Sequence, residues 1–386
     1  MIERTVSKEL KVLVGEYPVV TILGPRQSGK TTLAKTVLTD YAYSNLEIPE
    51  TRLFATEDPK AYLAQFLGPV IIDEIQRVPD LLSYIQGIVD EENIEGRFVL
   101  TGSHQLQLQE AVTQSLAGRT AILKLLPFSI AELSKHSISF DNFEGYCFKG
   151  FLPRIYDKSL RPAIAYSNYY QTYVERDVRQ MIKLKDLTLF EKLLKLMAGR
   201  VGQIIDYGSL SNDVGVDAKT IKNWLSILEA SFVVFKLSPY FENFGKRVIK
   251  SPKYYFSDVG LLCFLLGIQN ESQVLRDPLV GNIFENLVIT DCLKTRYNQG
   301  EVPDLYYFRD SNGNEVDLVY QKGRELVAIE IKSATTFSSS QLKGLKRFKK
   351  IAPSIGRSFL IYNGESKILS DGIQTKNFKE CSTIFI

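Results

Sequence analysis

The sequence predicts an α/β chain in three parts: a parallel-sheet module, a helical middle and a second α/β domain at the C-terminal end. Three runs predict it. Tyr17-Pro18-Val19-Val20-Thr21-Ile22-Leu23 reads as a buried strand, Gly24-Pro25-Arg26-Gln27-Ser28-Gly29-Lys30-Thr31 as a glycine-bearing turn, and Thr32 to Leu38 as a helix start. Gly68-Pro69-Val70-Ile71-Ile72-Asp73-Glu74 is an apolar strand that ends in two carboxylates. Residues 315–332 read as two apolar strands joined by a turn at Gln321-Lys322-Gly323-Arg324.

Residues 24–31 complete the pattern G-x-x-x-x-G-K-[ST]. Between a strand and a helix this pattern is a P-loop, whose backbone N–H groups and helix N-terminus cradle phosphates. Lys30 reaches the β- and γ-phosphates and the Thr31 hydroxyl sits on Mg2+. Gly24, Pro25, Arg26, Gln27, Ser28, Gly29, Lys30, Thr31 and Thr32 are the expected nucleotide contacts, with ATP and Mg2+ as cofactors.

The 68–74 strand supplies what hydrolysis needs. Asp73 at its end can hold the Mg2+ shell, and Glu74 can orient and polarise the attacking water. A third strand, Arg97-Phe98-Val99-Leu100-Thr101-Gly102-Ser103, ends in small polar residues. In P-loop ATPases such a strand lies between the other two, and a polar side chain at its tip can sense the γ-phosphate. Ser103 is the candidate and Thr101 the runner-up.

Composition bounds the rest. At 386 residues, two to three domains are expected. A hydrophobic fraction of 45% and a charged fraction of 24% are those of an ordinary soluble globular chain. The net charge of +3 is too small to indicate nucleic acid by itself, so that case rests on local basic patches. The charged start Met1-Ile2-Glu3-Arg4 lacks a signal-peptide core, and no apolar run approaches a membrane span. Cys147, Cys263, Cys292 and Cys381 are too scattered for a zinc site or a disulfide framework, so a reducing cytoplasm and no membrane are expected. With only His104 and His136, histidine metal sites and Ser-His triads are excluded as leading readings.

The motifs together resemble a known family. Residues 24–32, Ile71-Ile72-Asp73-Glu74-Ile75-Gln76 and Leu100-Thr101-Gly102-Ser103 look like the prokaryotic AAA+ ATPases that carry a C-terminal nuclease-like domain of uncertain function. The resemblance continues through Ser115-Leu116-Ala117-Gly118-Arg119, Leu126 to Leu133, Tyr173-Val174-Glu175-Arg176-Asp177 and Ser251 to Leu261. It implies a homo-oligomer, a hexameric ring or a similar assembly. An ATPase of this type uses an arginine to neutralise transition-state charge, often from a neighbouring subunit. Arg119 and Arg176 lie in matching segments and are the candidates; pairing with a local carboxylate such as Asp177 is the alternative for each.

In the middle, Leu187, Phe190, Leu193, Leu194 and Met197 fall at helical spacing and make a buried stripe. Ser209 to Val214 and Ala218 to Glu229 are two helices about a turn at Gly215-Val216-Asp217, a helix-turn-helix spacing with Asp217 as cap. Ile221, Leu225 and Leu228 form the buried seam, leaving Lys219 and Lys222 outward. Strands at 232–237 and 253–256 follow as in a winged helix. Lys219, Lys222, Lys246, Arg247, Lys250 and Lys253 are the expected DNA contacts; a protein–protein joint is the alternative use of such a domain.

At the C-terminal end, counting out from Gly323 places Asp317 opposite Ile329, one residue from Glu330, and Glu330 and Lys332 share a face. A small bulge would bring Asp317, Glu330 and Lys332 together, and two carboxylates beside a lysine can bind Mg2+ and activate a water. This D-x(n)-E-x-K pattern resembles the PD-(D/E)xK nuclease fold, which implies that Glu285, on the helix at 281–289, completes the metal set of Glu285, Asp317 and Glu330 beside Lys332. The basic run Lys343, Lys346, Arg347, Lys349 and Lys350 follows, where a phosphate backbone can lie.

The expected architecture is therefore a P-loop AAA+ ATPase core (1–138), a helical connector with a winged helix (139–252) and a PD-(D/E)xK-like α/β domain (253–386). The expected function is ATP hydrolysis driving remodelling of, or translocation on, duplex or branched DNA. The alternatives are a Mg2+-dependent nuclease with a regulatory ATPase and a protein-interaction ATPase switch. A small-molecule kinase is a weaker option, because the Asp73-Glu74 pair and the added domains argue against it.

Overall fold

The computed structural model describes residues 2–103, 115–178, 187–240, 251–323, 325–352 and 355–385, with the backbone alone at 175–178. Two units emerge: Met1–Phe128 with Ala230–Phe232 and Arg296–Glu301, and Ser129–Glu229 with Val233–Thr295 and Val302–Ile386.

The first unit is framed by five parallel strands, β1 (Val19–Leu23), β2 (Ala42–Asn45), β3 (Val70–Asp73), β4 (Phe98–Gly102) and β5 (Thr120–Lys124). Their order is β2-β3-β4-β1-β5, so the third predicted strand does lie between the P-loop strand and the Asp73 strand. β1, β3 and β4 are buried along their whole length. A parallel sheet covered on both faces selects such unbroken apolar runs over alternating ones. One face packs Val20, Ile22, Ile71 and Val99 against Leu33 and Ala34 of the helix Lys30–Val37.

The second unit holds an eight-stranded mixed sheet. Its strands are β6 (Val234–Pro239), β7 (Lys253–Phe256), β8 (Leu305–Arg309), β9 (Glu315–Lys322), β10 (Glu325–Lys332), β11 (Ile355–Tyr362), β12 (Lys367–Ile368) and β13 (Gln374–Asn377). The order is β12-β13-β11-β10-β9-β8-β6-β7. The helix Lys343–Ile351 lays Leu345 and Phe348 on this sheet beside Phe308, Val316 and Ala328.

Helices occupy the middle of the chain as expected. Phe190, Leu193, Leu194 and Met197 are the buried face of the helix Leu187–Gly199. Tyr207–Val214 ends at Gly215, whose φ of 94° permits the tight turn, and Asp217 accepts the N–H groups of Lys219 and Thr220, both at 2.9 Å. Ile221, Leu225 and Leu228 are buried while Lys219 and Lys222 are exposed.

The strands expected to close a separate winged helix do something further. β6 and β7 pair antiparallel, but β6 also pairs parallel with β8, so both form the edge of the eight-stranded sheet. Lys253, expected on a solvent-facing wing, is 2% exposed within β7, because every residue of that strand is buried. Lys246, Arg247 and Lys250 lie outside the described residues.

The family-like run at 251–261 has a physical basis. Asp258 caps the helix Val259–Leu265; its Oδ1 accepts Gly260 N–H at 2.8 Å and the Tyr166 hydroxyl at 2.6 Å, and its Oδ2 accepts Phe151 N–H at 3.0 Å. Gly260 has no room for a Cβ, which would meet the Tyr166 ring at 2.4 Å. Replacing Asp258 with Ala orphans a buried hydroxyl and two N–H groups. A loss of about 3 kcal/mol or more of stability is expected by chemical denaturation, and a loss below about 1 kcal/mol would contradict this account.

Candidate functional site

The glycine-bearing turn forms because each special residue meets a steric demand. At Gly24 a Cβ would lie 2.0 Å from the Leu125 carbonyl oxygen, so only glycine fits. Gly29 stands at φ 92° immediately before the helix Lys30–Val37, and Gln27 also adopts a left-handed φ of 61°. Arg4 braces the loop from outside, donating to the Ser28 carbonyl at 2.8 Å and the Leu126 carbonyl at 2.7 Å. Arg26 and Arg77 both face Glu47, at 3.9 and 3.5 Å.

Lys30 is folded back into the loop, donating to the Gly24 and Pro25 carbonyls at 3.0 and 2.9 Å. Burial pushes its ammonium down to about 8, with Glu74 and Asp73 opposing. The Thr31 hydroxyl donates to both Asp73 oxygens, at 3.1 and 2.9 Å. Tyr43 donates to Asp73 Oδ2 at 2.9 Å and Thr101 donates to Oδ1. A hydroxyl facing a carboxylate is an all-oxygen donor set, the kind that a hard cation such as Mg2+ takes.

Glu74 follows at φ 60°, a strained left-handed position that turns the chain at the strand end. Its N–H donates to Thr101 Oγ1 at 3.3 Å, and its carboxylate accepts from Gln76 and, at 3.5 Å, from Ser103. Gln76 also reaches Ser103 Oγ at 3.2 Å. Burial raises the Glu74 pKa, Lys30 lowers it and Asp73 raises it again. The β4 tip therefore touches both carboxylates, Thr101 on Asp73 and Ser103 on Glu74.

Sequence reasoning missed Tyr43, Gln76 and Arg4. Gln76 had a readable signal, since it lies two residues beyond Glu74 in the quoted motif. Tyr43 and Arg4 had none, because their contacts come from remote chain segments. Arg119 is paired with Asp90, its Nη2 donating at 2.9 Å, and this contact raises the guanidinium pKa. Arg176 falls in a π-helix, Tyr170–Val178, and its side chain lies outside the described part.

In the second unit, the hairpin register differs from the count made from Gly323. Lys322 pairs with Glu325 and Leu318 with Ile329, which brings Asp317 level with Glu330 rather than Ile329. The turn holds two residues, so no bulge is needed. Asp317 Oδ2 accepts Ile331 N–H at 2.7 Å and the Lys332 ammonium at 3.2 Å, and Lys332 lies 2.7 Å from Glu330. Burial pushes the Glu330 carboxyl up to about 8; Asp317 adds to this and Lys332 opposes it. Its Oε2 lies under Gly344, where a Cβ would come within 2.9 Å, and has no hydrogen-bond partner among the described residues.

Glu285 is engaged by groups other than Asp317 and Glu330. Its Oε1 accepts from Tyr255 at 2.5 Å and from the buried Lys253 ammonium at 3.2 Å. Burial raises its pKa, Lys253 opposes this and Asp317 adds to it. Among the described residues no three His, Cys, Asp or Glu side chains converge to hold a metal ion. In this arrangement Lys253 takes one Glu285 oxygen, Lys332 takes one oxygen each of Asp317 and Glu330, and Glu330 Oε2 stays unpartnered among the described residues.

The loop at 24–31, the Thr31–Asp73 pair and the turn at Glu74 give the first unit the layout of a P-loop ATPase module. Residues 16–134 match the family model described as AAA domain, and residues 140–272 and 280–379 match two models, each described as a domain of unknown function. An uncharacterized protein of Mycobacterium tuberculosis is 29% identical over 378 residues, covering 96% of this chain and 82% of that one. One from Methanocaldococcus jannaschii is 25% identical over 394 residues, covering 86% and 78%. Among solved structures, a Walker-type ATPase of Pyrococcus abyssi aligns with 69% of this chain and 96% of its own, at 14% identity and a TM-score of 0.45. No helix among the described residues is long and apolar enough to cross a membrane.

Two outcomes are expected. Bound polyphosphate replaces the two carbonyls around Lys30 with anionic oxygens and raises its pKa, so nucleotide affinity falls as pH rises past about 8 and binding near that pH takes up protons. Calorimetry in two buffers of different ionisation enthalpy measures this, and equal heats would contradict it. For Glu330, the folded state holds a proton that the unfolded chain releases near pH 4.5, so stability falls as pH climbs from there to about 8. Glu330→Gln cannot ionise and lacks this slope. Its Tm relative to the unsubstituted chain should rise across that window; a constant difference would refute the burial argument.

Proposed function

We propose that this chain hydrolyses ATP with Mg2+ and couples the cycle to the handling of DNA, duplex or branched. The observation that carries the hydrolysis is the pairing of Thr31 with Asp73, with Glu74 turned into the same site one residue later. In the nucleotide complex Lys30 exchanges two backbone carbonyls for β- and γ-phosphate oxygens, and the loop N–H groups hold the phosphates. Thr31 and Asp73 would hold Mg2+, which supplies charge neutralisation on the phosphates. Glu74 accepts a hydrogen bond from the attacking water and orients it, while Gln76 and Ser103 position its carboxylate. Arg119 or Arg176 serves a neighbouring subunit of a homo-oligomer, a hexameric ring or a similar assembly, and Arg119 must first leave Asp90 to do so.

DNA contact rests on exposed cations. Lys343, Lys346, Arg347, Lys349 and Lys350 all lie on the solvent side of the helix Lys343–Ile351, whose other side buries Leu345 and Phe348. Lys219 and Lys222 are exposed on the helix Ala218–Ala230. A basic helix face grips phosphates without reading bases. The closed C-terminal carboxylate set weighs against cleavage, so the PD-(D/E)xK-like domain is read as a holding element beside the winged-helix segment.

The test is the ATPase rate with and without linear, single-stranded and four-way-junction DNA. Stimulation that weakens with added salt is expected, and no stimulation by any of them would sink the coupling to DNA. Glu74→Gln should retain ATP binding and lose turnover by about 100-fold or more; surviving turnover would reassign the catalytic base.

A further inference from the structure

We infer that the C-terminal carboxylate cluster is neutralised by an internal lysine in place of a metal ion: the Lys253 ammonium bridges Glu285 and Glu315, the position a divalent cation would take. Its Nζ lies 2.5 Å from Glu315 Oε1 and 3.2 Å from Glu285 Oε1, with the side chain 3% exposed. The two carboxylates come from different elements, the helix Val280–Asn298 and strand β9, so the ammonium clamps helix to sheet as a bridging cation would.

Each carboxylate of the cluster is answered through at least one oxygen, although Glu330 Oε2 has no partner among the described residues. Tyr255, two residues along β7 and therefore on the same face, donates to Glu285 at 2.5 Å. Arg309 pairs with the other oxygen of Glu315 at 2.9 Å, and Lys332 serves Asp317 and Glu330. Each of the four carboxylates thus has a basic partner. Burial alone would lower the Lys253 pKa, but Glu285, Glu315 and Asp317 outweigh it and the group stays charged. A hard divalent cation binds through several carboxylate oxygens, and the ammonium already occupies the two that face each other here, Glu285 Oε1 and Glu315 Oε1. A cleft of about 460 Å³, lined by Gln203, Asn282 and Arg309, borders Lys253, Glu285 and Glu315, so an ion can reach the acids once the ammonium is gone.

The experiment is Mn2+ binding by electron paramagnetic resonance on the nucleotide-free full chain, unsubstituted and as Lys253→Met, Glu285→Gln and the double variant. Met keeps the buried stem and removes the charge. Lys253→Met should gain Mn2+ binding about tenfold or more tighter than any in the unsubstituted chain, and added Glu285→Gln should abolish the gain. Its Tm should also rise with Mn2+ by more than that of the unsubstituted chain, since both share the Thr31–Asp73 site. No gain in folded Lys253→Met overturns the inference, as does Mn2+ binding by the unsubstituted chain that Glu285→Gln removes. If Lys253→Met does not fold, the unsubstituted chain against Glu315→Gln decides, because a native metal site would lose Mn2+ there. Either result leaves the ATPase reading standing.

Discussion

Asp73 is the constraint on which the nucleotide module depends. One carboxylate accepts hydrogen bonds from Thr31 at the helix start, Tyr43 on β2 and Thr101 on β4. It therefore ties three elements to the end of β3. A buried carboxylate is costly unless its oxygens are satisfied, and here three hydroxyls satisfy them. The same bonds tie Thr31 to the strand end that Glu74 directly follows. Positioning is most of what a phosphoryl-transfer enzyme must supply.

The second unit solves a similar problem with opposite charges. Glu285, Glu315, Asp317 and Glu330 are brought close by a helix and a hairpin, which in water-poor surroundings would drive them apart. Lys253, Arg309 and Lys332 hold them instead. Breaking such a network by removing one member leaves an uncompensated buried charge, so its parts depend on one another. The cluster reads as a clamp on the sheet, with the basic helix Lys343–Ile351 presenting its charge on the outside.

Much of this was legible in local sequence. The P-loop, the apolar strand ending in Asp73-Glu74 and the helix stripe through Phe190 and Met197 follow from short-range pattern, whereas the place of β4 between β3 and β1 was expected from the class of P-loop ATPases. The register of β9 and β10 was legible only to within one residue, because a hairpin count depends on whether its turn holds two residues or three. Lys253 was misread because a lysine among neighbouring cations looks like a surface residue, whereas its burial is determined by Glu285 and Glu315 far along the chain.

By itself, the sequence determined the local geometry of the loop at 24–31 and of the strand end at Asp73-Glu74, since backbone turns, glycine positions and strand ends are specified by neighbours in the chain. Tertiary structure alone determined who partners whom. Asp73 with Tyr43 and Thr101, Glu74 with Gln76 and Ser103, Arg119 with Asp90, and Lys253 between two acids are pairings across packed elements. Their energies come from burial and from the low dielectric between them, and neither exists until the sheets and helices have closed around these groups.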